Sequence, residues 1–171
     1  MALDLSEYEL GESNEIIKLA SSEDVAEATL DIAQKAQRSF NIFTHSLDRR
    51  VYNDQALYNA ILKLATYSRH SLVRILIKDS TNAVKRGSRL VELSYRISSR
   101  VQIRKPAMEY LEENDEFVIA DKCGLLLRRN PNRYEGELDF NAAMKARQAL
   151  RFFDTCWEHS APDPELRRLH L

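Results

Sequence analysis

Short apolar runs alternate with longer amphipathic segments along the chain, and this order predicts strands separated by helices. The runs are rich in Ile, Val, Leu and Phe and are bounded by polar residues, which is typical of strands. We predict strands at residues 15–19, 40–44, 72–77, 101–104, 117–120, 125–127 and 136–140. The run at 72–77 is almost wholly apolar, so we expect a central strand that is covered on both faces.

Between the runs, apolar residues recur three and four positions apart, as they do on one face of an amphipathic helix. Four such stripes predict four helices, marked by Val25, Ala28, Ile32 and Ala36; by Leu57, Ala60, Ile61, Leu64 and Ala65; by Val84, Leu90, Val91, Ser94 and Ile97; and by Ala146, Ala149, Leu150, Phe153 and Trp157. Gly87 is a weak point inside the third helix. We expect helix N-caps at Ser21, Asn53 and Asn141.

Strands and helices alternate first, and a hairpin, a strand and a long helix follow. This order predicts an α/β fold in which a mixed β-sheet is sandwiched between helices. We expect residues 14–160 to form one domain, preceded by a flexible acidic arm at 1–13 and followed by a C-terminal tail at 161–171. The two hairpin strands and residues 73–77 should be adjacent in the sheet.

Composition narrows the class of protein without indicating an activity. The 171 residues, 44% of them hydrophobic and 30% charged, suit one globular domain. The net charge of −1 provides no global basic field, which disfavours nucleic acid as a partner but leaves a local basic patch open. The N-terminus lacks a signal-peptide pattern, and no apolar run approaches the roughly 20 residues of a membrane helix. We therefore expect a cytoplasmic protein without membrane contact, in which Cys123 and Cys156 are reduced.

Two stretches carry a resemblance to a known superfamily. One is the strand sequence VRILIKD at residues 73–79, and the other is FFDTCWEHS at residues 152–160, which places Phe153 and Trp157 on the closing helix. Together with the order of elements over residues 15–160, they resemble one domain of the phospholipase D/nuclease superfamily, whose members often close with a Phe and a Trp. The resemblance implies that superfamily's fold and a site at the hairpin.

The superfamily's chemistry lies in a His-x-Lys-x-x-x-x-Asp motif followed by Gly-Ser-x-Asn. There the histidine attacks phosphorus, and the lysine and asparagine hold phosphate oxygens. Aligning Asp121 with the motif aspartate places Asn114 on the histidine and Glu116 on the lysine. The Gly, Ser and Asn positions fall on Arg128, Arg129 and Pro131. An asparagine cannot carry a covalent phosphoryl group and a carboxylate repels a phosphodiester, so the motif is degenerate and the resemblance does not carry the reaction over. A different register is the alternative, although no His-x-Lys sequence occurs in the chain.

Basic side chains after the hairpin are the candidate anion ligands. Arg128, Arg129 and Arg133 follow the second hairpin strand, and the phospholipase-like layout would turn them toward the phosphate pocket. Arginine binds phosphate bidentately, which suits such a role. The alternative is that these arginines balance Glu135 and Glu137 on the surface.

His45 is a further candidate anion ligand. It lies with Asp48, Arg49 and Arg50 in a loop that follows a strand, and such loops bind ligands in α/β sheets. The alternative is a solvated turn. The remaining histidines, which show no metal-ligand spacing, are His70, His159 and His170. We therefore expect no metal and no cofactor.

The sequence favours a non-catalytic phospholipase D-like domain that acts as a binding or regulatory module, beside a partner enzyme or an anionic ligand. One alternative is a divergent phosphodiesterase or nuclease that uses His45 as its base. Another is a nucleic-acid-binding protein with a local basic face. Because single-motif members of the superfamily build their site from two copies, the resemblance also implies a homodimer.

Overall fold

The predicted apolar runs form the strands of one mixed sheet in a computed structural model that describes residues 2–167. The strands are β1 (Ile16–Leu19), β2 (Ser39–Thr44), β3 (Leu72–Ile77), β4 (Val101–Arg104), β5 (Glu116–Ala120), β6 (Gly124–Arg128) and β7 (Gly136–Asp139). Their order in the sheet is β1-β7-β6-β5-β2-β3-β4. β2, β3 and β4 pair in parallel, whereas β2–β5, β5–β6, β6–β7 and β7–β1 pair antiparallel. The predicted α/β class with a mixed sheet is confirmed.

Helices cover both faces of the sheet, as the amphipathic stripes predicted. They are α1 (Ser22–Lys35), α2 (Arg49–Tyr52), α3 (Gln55–Tyr67), α4 (Thr81–Arg86), α5 (Arg89–Arg96) and α6 (Ala143–Glu158). Residues of α1 to α5 share one apolar core with Phe40, Ile42 and Ile75 of the sheet. Phe43 and Leu76 point the other way and share a second core with α6. Neighbouring strand residues thus alternate between the two cores, as side chains do along any strand.

The expected strand neighbours need one correction. β5 and β6 are adjacent, but β2 lies between β5 and β3, so residues 73–77 do not pair with the hairpin. β2 pairs with both neighbours because its residues from Phe40 to Phe43 form ladders on either side. β3 is nevertheless a central strand, with Ile75, Leu76 and Ile77 fully buried.

The predicted third helix is two helices. α4 ends at Arg86, and Gly87 follows with a φ of 80°, a left-handed conformation that glycine adopts without steric cost. Ser88 then caps α5 by accepting a hydrogen bond from the backbone N–H of Val91. The chain therefore restarts a helix after Gly87 instead of continuing one.

Two predicted N-caps are wrong, and a loop contains a helix. Residues 45–54 include α2 instead of forming a continuous loop. α3 is capped by Asp54, while the side-chain oxygen of Asn53 accepts a hydrogen bond from the backbone of Arg89. α6 begins without a side-chain cap, because its N-cap residue is Ala142, and the side-chain amide of Asn141 instead donates to Asn14.

Both terminal segments contact the domain where the structure describes them. In the predicted arm, Leu5 is buried, and the ring of Tyr8 stacks on Phe140 at 5.3 Å between centroids. In the predicted tail, Ala161 exchanges backbone hydrogen bonds with Lys105. Residues 168–171, with His170, lie outside the described residues. Within residues 2–167, no helix is both long enough and apolar enough to cross a membrane.

Candidate functional site

Polar side chains gather at one edge of the sheet, which we call the carboxyl edge. Here β2 and β3 end, β5 begins and β6 ends, so Thr44, Lys78, Glu116 and Arg128 are neighbours across four strands. In α/β sheets, ligands bind outside the carboxyl ends of parallel strands. The hairpin that carries the motif resemblance thus begins and ends at the edge where a site is expected.

A buried ion pair joins the two hairpin strands at this edge. Glu116 and Arg128 are directly opposite each other in the β5–β6 register, and Arg128 Nη1 lies 2.6 Å from Glu116 Oε2. Their residues are 5% and 1% exposed, so water contributes little to either charge. Glu116 Oε1 also accepts hydrogen bonds from Thr44 Oγ1 at 2.9 Å and from the backbone N–H of His45 at 2.6 Å. Both oxygens of the carboxylate therefore accept hydrogen bonds from protein donors.

The remaining donors of Arg128 hold the loop that follows β6. Nε and Nη2 donate to the carbonyl oxygen of Arg133 at 3.1 and 2.7 Å, and Nη2 reaches that of Pro131 at 3.3 Å. The ring of Tyr134 covers the guanidinium, with its centroid 5.2 Å from Cζ. Arg128 thus points inward and is bound to protein acceptors.

Two tyrosines and an aspartate complete the surroundings of the pair. Tyr52 is buried, and its burial together with the charge of Glu116 raises the pKa of its hydroxyl far above the usual range. Tyr134 donates its hydroxyl to Asp48 Oδ2 at 2.6 Å, and this hydrogen bond raises the pKa of Tyr134. Both phenols therefore stay protonated at neutral pH, where they are unsuited to act as bases.

Lys78 lies at the same edge but on the opposite face of the sheet. Lys78 is two residues after Leu76, so its side chain lies on the same face of the sheet as that of Leu76. It is 6% exposed, and its amine is 5.0 Å from the ring centroid of Phe43. No carboxylate among residues 2–167 lies within ion-pair distance of this amine. Burial lowers the pKa of Lys78, against the opposing influence of nearby carboxylates, of which Glu116 is the strongest.

An acidic rim borders the edge on the side of α6. It surrounds a depression of about 540 Å³, whose lining residues are Glu109, Tyr110, Glu112, Glu113, Asn114, Asp115, Arg129 and Phe152. Among the described residues, Arg129 is the one cation that lines this depression. Its Nη1 atom lies 3.6 Å from Asp115 Oδ2. Burial and the charge of Glu113 raise the pKa of Asp115. The rim is therefore a poor surface for a phosphate anion.

The structure disperses the predicted motif residues. Asn114 lies in the acidic rim and Glu116 in the buried pair. Asp121 lies at the far end of β5, where its carboxylate accepts hydrogen bonds from three successive backbone N–H groups, those of Gln37, Arg38 and Ser39 at 2.9, 2.7 and 3.1 Å. Asp121 thereby fixes the connection from α1 to β2.

The predicted anion ligands do not share one pocket. Arg129 and Arg133 line a depression of about 610 Å³ with Lys18 and Lys145, whereas Arg128 is buried. His45 is exposed, and its backbone N–H supports Glu116. The arginines separate because successive strand residues point to opposite faces, so Arg128 and Arg129 cannot both turn inward.

Neither cysteine has the character of a nucleophile. Cys123 and Cys156 are both free. Burial, followed by the charges of Glu113 and Glu109, raises the pKa of Cys156 to about 12, and burial and Asp121 raise that of Cys123. A thiol with a raised pKa is protonated and inert at neutral pH. Within the described residues, no group of three His, Cys, Asp or Glu side chains is placed to hold a metal ion.

Sequence reasoning missed Thr44, Tyr52, Lys78 and Tyr134 at this edge. A signal for the ion pair was present, because the hairpin register that pairs Phe117 with Leu127 necessarily pairs Glu116 with Arg128. The positions of Tyr52 and Tyr134 depend on α2 and on the loop after β6, for which the apolar pattern carries no information.

Comparison with solved structures identifies the fold. The chain is similar to TrmBL2, an archaeal chromatin protein reported to show a novel mode of DNA binding, with 13% identity and a TM-score of 0.66 over 93% of this chain. It spans 57% of the length of TrmBL2. It is also similar to Nuc, a phospholipase D family member from Salmonella typhimurium, with 14% identity, a TM-score of 0.58 and coverage of 87% of this chain and 96% of that one.

A third similar structure is NucT from Helicobacter pylori, with 17% identity, a TM-score of 0.61 and coverage of 88% of this chain and 99% of that one. These likenesses confirm the phospholipase D-like fold that the sequence resemblance predicted. No curated protein matches the sequence. A family model does match residues 21–169, and the chain therefore belongs to the family described as a domain of unknown function, DUF7931.

Proposed function

We propose that this protein is a non-catalytic phospholipase D-like domain that acts as a binding or regulatory module. The observation that carries the proposal is the buried Glu116–Arg128 pair. Under the proposed motif register, the pair occupies the positions of the family's lysine and glycine. A lysine there would present a cation to phosphate, whereas Glu116 presents a carboxylate whose oxygens already accept three hydrogen bonds.

The nucleophile position supports the same proposal. Asn114 occupies the place of the motif histidine, and its amide cannot form the covalent phosphoryl intermediate. The carboxylates of the acidic rim repel an incoming phosphodiester, and at about 4 Å one such repulsion costs roughly 4 kcal/mol at an effective dielectric near 20. Binding without turnover is what these features support.

A phosphodiesterase assay tests the proposal. We expect no hydrolysis of bis(p-nitrophenyl) phosphate, of single-stranded DNA or of duplex DNA, beside an active phosphodiesterase as the positive control. Turnover that persists through purification and disappears in His45→Ala would instead support the divergent enzyme, with His45 as its base. A matched His70→Ala variant controls for loss of an exposed imidazole.

Nucleic-acid binding is the second candidate function. The observation that favours it is the similarity to TrmBL2, whose reported DNA binding is a property of that protein. Fluorescence anisotropy with labelled single-stranded and duplex DNA at several salt concentrations tests it. Saturable binding that weakens with salt supports this candidate, and its absence at low salt contradicts it.

We also propose that the domain is a homodimer in the cytoplasm. The proposal rests on the two-copy arrangement that the family resemblance implies. Light scattering should give about twice the chain mass of 19.8 kDa at micromolar concentration. A value equal to one chain would contradict the dimer.

A further inference from the structure

A small basic pocket lies between α2 and α4, beside the carboxyl edge. It encloses about 240 Å³, and its lining residues are Ser46, Leu47, Asp48, Arg49, Arg50, Asn82, Ala83 and Arg86. Three arginines therefore converge from two helices on a space that is larger than one phosphate group. The helices that carry them, α2 and α4, follow β2 and β3, whose carboxyl ends are where α/β sheets bind ligands.

Arg49 is held in place before any ligand arrives. Its Nη1 donates to the carbonyl oxygens of Arg86 and Gly87 at 3.0 and 2.6 Å. These carbonyls lie at the end of α4, where the left-handed Gly87 terminates the helix. In the described chain only Nη1 of this guanidinium donates to protein, which leaves Nε and Nη2 for an external acceptor. A guanidinium fixed in this way loses less conformational entropy when it binds an anion.

The charge of the pocket also favours an anion. Asp48 is the one carboxylate among its lining residues, and both of its oxygens are already hydrogen-bonded. Oδ1 accepts from the backbone N–H of Arg50 at 2.9 Å, and Oδ2 accepts from the hydroxyl of Tyr134 at 2.6 Å. The side chains of Ser46 and Asn82 add neutral hydrogen-bond donors to the lining.

We propose that this basic pocket binds a phosphate group, with Arg49, Arg50 and Arg86 as its ligands. Phosphate suits the pocket better than a carboxylate, because it has oxygens to meet arginines from several directions and carries up to two negative charges. The inference names a ligand class for the proposed binding module and rests on that role, but it uses none of the residues of the Glu116–Arg128 pair. The phosphate group belongs either to a small anion or to a nucleic-acid backbone.

Titration with inorganic phosphate at constant ionic strength, followed by two-dimensional NMR of the backbone amides, tests the pocket. We expect saturable shifts confined to residues 46–50 and 82–87. Arg50→Gln and Arg86→Gln should each weaken binding about tenfold, the effect of losing one charge-assisted contact. Arg151→Gln is the matched control, because it removes an equal charge from an exposed position on α6, across the sheet. Arg49→Lys should also weaken binding. The planar guanidinium of arginine can donate to the two carbonyls and to the anion at once, and the compact ammonium of lysine cannot span these acceptors.

Equal weakening by Arg151→Gln, or shifts that chloride reproduces, would overturn the pocket. So would the absence of saturable shifts in a chain that remains folded by the same spectra. A second titration with a single-stranded oligonucleotide identifies the source of the phosphate. For a nucleic-acid backbone, Arg86→Gln should reduce the salt dependence by about one counterion. The titration measures binding and the phosphodiesterase assay measures turnover. The phosphate pocket can therefore be disproved while the proposal of a non-catalytic domain holds, and the non-catalytic proposal can be disproved while the pocket holds.

Discussion

Two buried cations lie at the same edge of the sheet, and their surroundings differ. Arg128, on the side of α2, has a carboxylate at 2.6 Å, two backbone carbonyls and the face of Tyr134. Lys78, on the side of α6, has the ring of Phe43 and no ion-pair partner among the described residues. Both residues are less than one-tenth exposed, although Lys78, at 6%, keeps more contact with solvent than Arg128, at 1%.

The comparison shows that one edge of the sheet contains both a buried cation with an ion-pair partner and a buried cation without one. A buried ion pair with full hydrogen bonding roughly offsets its desolvation, whereas a buried charge without a partner carries that cost uncompensated. The guanidinium has donors in a planar fork and can satisfy several acceptors at once, which an ammonium on a flexible stem does less well. We therefore expect opposite stability effects when each charge is removed.

The largest effect should come from breaking the pair. Glu116→Gln keeps the shape and the acceptor oxygen but leaves the charge of Arg128 buried without a counter-charge. Removing one partner of a buried ion pair costs about 3–5 kcal/mol of unfolding free energy. Urea denaturation measures the change, with Glu112→Gln in the exposed part of the rim as the matched control. Equal, small effects of both substitutions would contradict the buried pair.

The packing beneath Lys78 provides the next test. Leu76 is fully buried in the second core and precedes Lys78 by two residues on the same face. Leu76→Ala should cost about 2–5 kcal/mol, because it removes apolar contacts and leaves a cavity. Urea denaturation of the variant measures the loss. A loss well below this range would mean that the strand is less tightly packed than its burial indicates.

The sequence predicts those features of the carboxyl edge that local patterns determine, and not those that long-range contacts determine. The hairpin followed from two short, continuously apolar runs bounded by polar residues, a pattern typical of strands that are buried on both faces. The polar residues between the two apolar runs form the turn, whose left-handed residues are Asp121 and Lys122, with φ of 50° and 62°. Gly124 lies in β6, where a side chain would collide with Leu10 of the N-terminal arm. Long-range contacts therefore decide the role of that glycine.

The candidate site was predicted less well than the fold, for a similar reason. Arg128 and Arg129 are alike in sequence, but Arg128 is the last residue of β6 and is buried, whereas Arg129 follows the strand and is exposed. Asp121 was assigned by motif position, and its contacts with three backbone N–H groups appear only once α1 and β2 are placed beside the turn. Charges are distributed by tertiary geometry, which periodicity does not encode.

A double-mutant cycle sharpens the comparison between paired and unpaired charge. Arg128→Met alone leaves Glu116 buried without its cation, whereas Glu116→Gln combined with Arg128→Met removes both charges. We expect the double variant to lose about 2 kcal/mol less than the sum of the single losses, which is the coupling of a directly contacting pair. Urea denaturation of the four proteins provides the cycle. Simple additivity would show that the two side chains are independent despite their contact.

The smallest effect, and the one of opposite sign, should come from Lys78. Burial lowers the pKa of Lys78 from its ordinary value of 10.5, even though Glu116, Glu113 and Asp115 act to raise it. A lowered pKa means that the folded surroundings disfavour the charged form. Lys78→Met should therefore raise the unfolding free energy at neutral pH by about 1 kcal/mol, because a side chain of similar length replaces a buried charge.

The pH dependence of this difference is the decisive measurement. Between the lowered folded pKa and 10.5, the unfolded chain binds more protons at Lys78 than the folded one, so the stability of the unsubstituted protein rises with pH in that window. Below the window the cost of the buried charge is complete, and above it Lys78 is neutral in both states. The advantage of Lys78→Met should thus be complete below the lowered folded pKa and shrink as pH rises from there toward 10.5, while groups common to both proteins cancel. The exposed Lys85→Met is the control and should show little effect at any pH. A variant that is less stable than the parent at neutral pH, or whose advantage does not shrink, would mean that Lys78 has a counter-charge after all.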